Sequence, residues 1–364
     1  MYRCIGCKRE WDYPVEVCIF CNGTVTKIFT DEYIVEEAIE VSVATEDHPI
    51  TPYHVMLLKD REGLRRFKKS FERPRIGDRV LDDALEPSGR EIIGIVGTGT
   101  TGRGIAEVAL KTGHTVILMG RSRTSLENAQ NSLSRSLSKS MTSEEAQIAI
   151  KKIITTTDFE QLAQSDFIIE SVVEDIGIKR DIFHKLDAIC SCDVVLASNT
   201  SSLKISKISE GLTHPERVAG LHFFNPITRM RLIEIIKTEN TSEDVLKKCT
   251  LLAARLNKES VIVVDSPGFI VNRLIFAMIN EACHALEEGI AGVEDIDKAM
   301  KLGANYHMGP FELADLIGLD LTLEILQNLH ATSDSTKFQP SYVLKDLVER
   351  GCMGKKNRKG FYSY

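Results

Sequence analysis

The sequence predicts an α/β fold: a doubly wound, Rossmann-type sheet followed by an all-α C-terminal domain and preceded by a small β module. Three observations predict it. Residues 91–106 read EIIGIVGTGTTGRGIA, a strand, a glycine turn and the start of a helix. Beyond them, short apolar runs alternate with helical stretches, the pattern of buried parallel strands and their crossover helices. From Pro267 onward the strand patterns cease and apolar helical segments take over.

Length and charge narrow the class. The 364 residues suffice for two or three domains with a sizeable core. A hydrophobic content of 43% and a charged content of 27% are ordinary for a soluble globular protein. The net charge of −7 speaks against nucleic acid or an anionic membrane as partner. No apolar run nears the roughly 20 residues of a membrane span. The start, Met1-Tyr2-Arg3-Cys4, does not read as a signal peptide, so a cytoplasmic location is expected.

Four of the nine cysteines cluster at the start. Cys4-x-x-Cys7 and Cys18-x-x-Cys21 are two knuckles separated by ten residues. Four thiolates at that spacing suit a tetrahedral zinc site with no open coordination position, hence a structural zinc. An odd cysteine total without a secretion signal favours metal over disulfides, and two knuckles in one short segment weigh against a chance or redox pairing. So small a piece, residues 1–30, would need its metal to fold. Residues 31–86 read as β-rich: 33–43 and 53–58 alternate, and 76–80 looks like a turn into a strand. Between Lys59 and Arg79 nine Lys or Arg face four acids. A solvated face is the plainer reading; an anion-binding strip, for nucleic acid or coenzyme A phosphates, is the sharper one. Residues 84–90 (ALEPSGR) form the linker. A nucleotide-binding domain is placed at 90–266 and a helical substrate and dimerisation domain at 267–364.

In the glycine turn, Gly97 permits the tight bend, Gly99 lets a pyrophosphate approach the backbone, and Gly102 lets helix and strand pack closely. Thr100 and Thr101 lie in the turn, and a helix is expected from 104 to 111, whose free N–H groups and positive dipole end would hold the phosphates together with the turn. Residues 115–119 form the second strand. A site preferring NAD normally carries an acid at its end, to bond the ribose 2′-hydroxyl. Gly120-Arg121-Ser122-Arg123 stands there instead. Arg121 and Arg123 could pair with a 2′-phosphate, which gives NADP(H) the preference. The alternative is that both arginines are solvated and NAD(H) is held by the remaining contacts.

Residues 124–139 read as a polar helix, and Thr142-x-x-Glu145 is a capping box opening another up to about residue 153. Strands are expected at 167–169, 194–197, 218–221, 232–236 and 261–264, with helices at 178–189 and 243–256 between them. In the second domain, 269–288, 295–301, 310–315, 319–330 and 342–350 read as helices. Ligands of open α/β sheets bind beyond the carboxyl ends of the strands. Ser198-Asn199-Thr200-Ser201-Ser202 and His222-Phe223-Phe224-Asn225-Pro226 both follow strands, and Glu234 lies in the next apolar run. Singly, a histidine or glutamate there is more often structural; several polar groups converging on one edge beside the cofactor turn raise the odds of a site.

Ordered motifs then accumulate: residues 97–102, Glu170-Ser171-Val172-Val173-Glu174, 198–203 (SNTSSL), 220–226 (GLHFFNP), 265–274 (DSPGFIVNRL), 308–313 (MGPFEL), Gly354-Lys355-Lys356 and Gly360-Phe361-Tyr362. Together they resemble the L-3-hydroxyacyl-CoA dehydrogenases over residues 90–364. The resemblance implies reversible NAD(P)-dependent oxidation of an L-3-hydroxyacyl-CoA, foremost 3-hydroxybutyryl-CoA, to the 3-oxoacyl-CoA. It implies His222 as acid/base, Glu234 orienting its ring, Ser201 bonding the substrate oxygen, and Asn272 touching substrate from the second domain. Glu174, Lys179, Ser201, Asn225 and Lys356 match positions near the cofactor. The apolar helices of the C-terminal domain need a partner surface, so a homodimer through that domain is expected. The coenzyme A arm would run past residues 124–153. The departure is Gly120-Arg121, where the family usually carries an Asp. The first 85 residues resemble zinc-ribbon plus OB-fold proteins that accompany thiolases, which implies a thiolase-like partner. Two other readings stand beside this one: an NADP-dependent dehydrogenase of a free 3-hydroxy acid, and an acyl-CoA- or thiolase-binding adaptor acting through the N-terminal module.

Overall fold

The computed structural model describes residues 2–4, 10–11, 25–27, 33–41, 53–60, 65–70, 74–77, 79–80 and 91–364 except 334. The chain divides into two compact units, Met1–Arg90 and Glu91–Tyr364.

In the first unit, β1 (Tyr2–Cys4) pairs antiparallel with β2 (Glu10–Trp11) on one side and β3 (Val25–Lys27) on the other. A second antiparallel sheet holds β4 (Tyr33–Val41), β5 (Tyr53–Asp60), β6 (Arg65–Ser70) and β7 (Arg79–Val80), in the order β6-β5-β4-β7. Alternation buries Val35, Met56 and Leu58 together and leaves Ile34 and Ile39 exposed. Part of the basic run forms the strand β6. Arg65 there donates to Glu36 Oε2 at 2.6 Å, and a charged strand suits the sheet's edge. Cys7, Cys18, Cys21 and the linker 84–90 lie outside the described residues, and of Cys4 only the strand backbone is described.

The second unit is built on an eight-stranded sheet. Its strands are β8 (Ile92–Val96), β9 (Thr115–Met119), β10 (Ile153–Thr156), β11 (Phe167–Glu170), β12 (Val195–Ser198), β13 (Val218–Phe223), β14 (Leu232–Lys237) and β15 (Glu259–Val264). The order is β10-β9-β8-β11-β12-β13-β14-β15. Every neighbouring pair is parallel except β13 with β14. The chain winds outward from β8 to β10, then returns to the other side of β8 at β11. That reversal opens a crevice at the carboxyl ends of β8 and β11.

The helices α1 (Thr100–Lys111), α2 (Arg123–Ser140), α3 (Ser143–Lys151), α4 (Ile176–Ile189), the single turn α5 (Ile205–Ile208) and α6 (Glu243–Arg255) connect the strands. One core cluster joins Ile93, Ile95, Leu118 and Val195 with Leu133; a second joins Ile117, Ile168 and Leu196 with Phe183. The capping box forms as expected: Thr142 Oγ1 accepts from the Glu145 N–H, and Glu145 Oε2 accepts from the Thr142 N–H. The helix stops at Lys151, earlier than its periodicity suggested, because residues 153–156 pair with β9 as β10.

The C-terminal part is helical, as α7 (Val271–Glu287), α8 (Val293–Gly303), α9 (Pro310–Ile317), α10 (Leu319–Ser333) and α11 (Tyr342–Glu349). Phe276, Ile279, Phe311, Leu326, Phe338 and Leu344 form its core. Its last residues are pinned by the buried Asp315, which accepts from the Phe361 and Tyr362 N–H groups and the Tyr364 hydroxyl. Gly360 is needed there, since a Cβ would fall 1.9 Å from Asp315 Oδ1. Among the described residues, no helix is long and apolar enough to cross a membrane.

Candidate active site

The glycine turn joins the end of β8 to α1, and each glycine has a distinct reason. Gly97 has φ +123°, and a Cβ on it would fall 2.3 Å from the Ser171 carbonyl. A Cβ on Gly102 would fall 2.2 Å from the Gly97 carbonyl. Gly99 meets nothing within 4 Å and brings no side chain to cap α1. Open space above Gly99, beside the uncapped N–H groups of Thr100, Thr101 and Gly102, is what a bound pyrophosphate requires. The residues present therefore fit a dinucleotide.

At the end of β9, Gly120 lies against the same turn. A Cβ on it would fall 2.9 Å from Thr98 Cγ2 and 2.9 Å from Leu126 Cδ2. Arg121, Ser122 and Arg123 are exposed, and Ser122 caps α2 by accepting from the Ser125 N–H.

Further along the sheet, β13 and β14 carry a buried histidine–glutamate pair. The antiparallel register sets His222 on β13 directly opposite Glu234 on β14. His222 Nδ1 lies 2.7 Å from Glu234 Oε2. The histidine is 5% exposed and the glutamate fully buried. The other oxygen, Oε1, accepts from the Ile270 and Val271 N–H groups at 3.0 and 2.9 Å, where α7 begins. An ionised carboxylate only accepts, so the hydrogen of the neutral imidazole sits on Nδ1 and the lone pair on Nε2. Phe224 and Phe269 flank the ring, with centroids 4.5 and 5.5 Å away. Phe269 is buried and holds φ +51°, a backbone conformation that an aromatic residue adopts only under tertiary constraint.

The loop after β12 closes this side. Asn199 Oδ1 accepts from the Phe223 N–H at 2.9 Å, which ties the loop to the histidine strand. Glu174 Oε1 accepts from the Ser201 and Ser202 N–H groups and from the hydroxyls of Thr200 and Ser202. Burial works against its charge, but Thr200, the Lys179 ammonium and Ser202 outweigh it and hold the Glu174 carboxyl below the usual range. Asn272, in the first turn of α7, donates to the Ser201 carbonyl at 3.4 Å. Continuous contacts thus run from His222 through Glu234, Val271 and its neighbour Asn272 to Ser201 and Glu174.

Lys179 is buried and ion-paired with Glu170 and Glu174. Asn225 is exposed just beyond β13. Lys356 pairs with Asp320 at 2.6 Å in the helical part, and this pairing holds the Asp320 carboxyl below its usual range. Glu170, Ser198, Asn199, Thr200 and Phe269 also join the site; the sequence placed them in its motifs without giving any of them a role of its own. Glu170 shares a motif with Glu174, and only burial tells the two apart.

The comparisons with known proteins agree with this geometry. Residues 92–266 match the family model described as 3-hydroxyacyl-CoA dehydrogenase, NAD binding domain, and residues 268–364 match the corresponding C-terminal domain. A 3-hydroxybutyryl-CoA dehydrogenase of Clostridioides difficile is 40% identical over 277 residues, covering 75% of this chain and 99% of the relative. The mitochondrial hydroxyacyl-coenzyme A dehydrogenase of Rattus norvegicus is 41% identical over 282 residues, 74% of this chain and 90% of that one. Among solved structures, a 3-hydroxybutyryl-CoA dehydrogenase from Escherichia coli K12 superposes with a TM-score of 0.73 at 37% identity, over 75% of this chain and 59% of that chain. An (S)-3-hydroxybutyryl-CoA dehydrogenase from Ralstonia eutropha gives 0.72 at 35% identity, over 75% and 99%. With its glycine turn and buried histidine–glutamate pair, the chain belongs to the 3-hydroxyacyl-CoA dehydrogenase family, oxidoreductases that act on a CH–OH group with NAD.

Proposed function

We propose that the chain interconverts L-3-hydroxybutyryl-CoA and acetoacetyl-CoA, with His222 as the acid/base. The observation that carries this reading is the His222–Glu234 pair, buried opposite one another at the sheet end and clamped by α7. When bound, the dinucleotide is the hydride carrier. In the oxidative direction His222 Nε2 takes the hydroxyl proton, and in the reverse direction it returns one to the carbonyl oxygen. Glu234 keeps the hydrogen on Nδ1 and stabilises the imidazolium across the 2.7 Å contact. Ser201 bonds the substrate oxygen and Asn272 contacts substrate from α7. Gly97, Gly99, Thr100, Thr101 and Gly102 hold the pyrophosphate, and Glu174, Lys179, Asn225 and Lys356 serve the cofactor side.

We assign the cofactor as NADP(H), with Arg121 on the 2′-phosphate. Support comes from the absence of an acid after β9 and from the crowding over Gly120, where a side chain would have to displace Thr98 and Leu126. With acetoacetyl-CoA as substrate, the KM for NADPH is expected to lie below that for NADH. Arg121→Ala should raise the NADPH value roughly tenfold, the worth of a charged contact, and leave NADH unchanged. A lower KM for NADH in the native chain would discard this assignment and keep the reaction.

Cys4, Cys7, Cys18 and Cys21 hold a structural zinc in this reading, and residues 31–86 form an OB-like module that serves the acyl-CoA or docks a thiolase-like partner. The helical domain forms a homodimer, and Leu274, Ile290, Leu302 and Tyr342 are the exposed apolar residues it would cover. Native mass spectrometry of the full chain should read a dimer with one zinc per chain, and a chain beginning at residue 91 a dimer with none. A monomer, or a zinc-free full chain, contradicts the corresponding assignment. The shortened chain should show a raised KM for acetoacetyl-CoA or lose its captured partners; if neither changes, the module has no such role.

A further inference from the structure

We propose that Glu170 is a positioning residue for Ser201, acting through Lys179 and Glu174; the inference rests on the role of Ser201 given above. Glu170 ends β11, fully buried, with every bond of its carboxylate accounted for. Oε1 accepts from Lys179 Nζ and from the Val172 N–H, each at 2.7 Å. Oε2 accepts from the Ser198 hydroxyl at 2.7 Å and from Lys179 Nζ at 3.0 Å. The Glu170 carbonyl also accepts from the Asn199 N–H at 2.8 Å, which ties the start of the serine loop to β11.

Lys179 has three donors to give. It meets both oxygens of Glu170 and, at 3.3 Å, Glu174 Oε2. With 1% of its side chain exposed and three carboxylate contacts, its ammonium is committed to the two glutamates. Lys179 therefore serves the site through Glu174. Glu174 in turn is the one member of the group that reaches solvent, with 37% of its side chain exposed. Its Oε1 holds the Ser201 and Ser202 amides at 3.1 Å. Its other oxygen, Oε2, lies 3.3 Å from Lys179 Nζ, so the carboxylate is held from the buried side as well as from the loop.

Stability alone does not account for such a pair. A buried ion pair is often matched or bettered by apolar residues of the same volume, because desolvation consumes most of the Coulombic gain. The pair earns its place by what it orients. Two strand ends, β11 and β12, are locked by it through Ser198, and the loop that leaves β12 carries Ser201.

A double-mutant cycle on the full chain tests this, with acetoacetyl-CoA reduction as the readout. Glu170→Gln should lower kcat about tenfold in the native background, the scale of a sub-ångström misplacement, and less than about twofold in a Ser201→Ala background. An equal loss in both backgrounds makes Glu170 merely structural and overturns the proposal. An unchanged kcat in Ser201→Ala overturns the role of Ser201 itself, and is told apart because the Glu170→Gln loss then stands alone. If Glu170→Gln does not fold, Ser198→Ala removes one of the four carboxylate bonds and is run through the same cycle, with a thermal melt to confirm folding; the same two outcomes decide.

Discussion

His222→Ala is expected to lower kcat by about a thousandfold, within the range that a positioned acid/base contributes. The loss falls on the chemical step. His222 sits on β13, several strands from the glycine turn between β8 and α1, so the affinity for the dinucleotide is expected to stay within about twofold of the native value. Initial rates with acetoacetyl-CoA give the first quantity and a fluorescence titration of the reduced dinucleotide gives the second. Turnover retained to within tenfold would remove His222 from the reaction. A collapse of dinucleotide binding together with turnover would mean that the substitution disturbs the sheet end as a whole. That disturbance is not expected, because the Phe223 amide stays tied to Asn199 and Phe269 stays packed in its core cluster.

Glu234→Gln is the more informative change, because neither orientation of the amide satisfies the site. Oε2 faces His222 Nδ1, and Oε1 faces two backbone N–H donors at the start of α7. If the amide nitrogen faces His222, the ring must accept at Nδ1; its hydrogen moves to Nε2 and the base is lost. If it faces α7, three donors confront one another, and the two backbone groups lose their acceptor at about 1–3 kcal/mol each. The first orientation costs activity and the second costs stability, so kcat should fall at least about a hundredfold, or the melting temperature by several degrees, or both. A variant with native kcat and a native melt would show that Glu234 does not set the tautomer. The same glutamate that orients the histidine thus holds the first turn of the helical domain. The reactive geometry and the seam between sheet and helices share one side chain.

The parts of this site that are legible in the sequence are those whose chemistry is local in the chain. Gly97, Gly99 and Gly102 fall within six residues and each answers a backbone need, so strand, turn and helix could be read together. His222 could be picked out by its motif and Glu234 by its place in the next apolar run and by the family resemblance, but their pairing is a matter of register. Twelve residues separate them, and only the antiparallel turn between β13 and β14, within an otherwise parallel sheet, sets them face to face. Glu234's second partner lies on α7, 37 residues away from it, and nothing local announces it. Glu170 and Glu174 stand four residues apart in one motif, with the same chemistry. One is buried under Lys179 and Ser198 and the other reaches the loop, a distinction that burial makes and composition does not. The strands β6 and β10 were hidden for opposite reasons. β6 is a basic edge strand whose composition reads as solvated surface, and β10 follows so closely on α3 that its apolar residues continue the helical period.

The most direct test of the central claim is the rate at which the full chain reduces acetoacetyl-CoA, followed as oxidation of NADPH and of NADH. The account predicts turnover in the common enzymatic range, about 1–1000 per second, that depends on the thioester and is lost in His222→Ala. Oxidation of the reduced dinucleotide by free acetoacetate, with no response to the thioester, would contradict it.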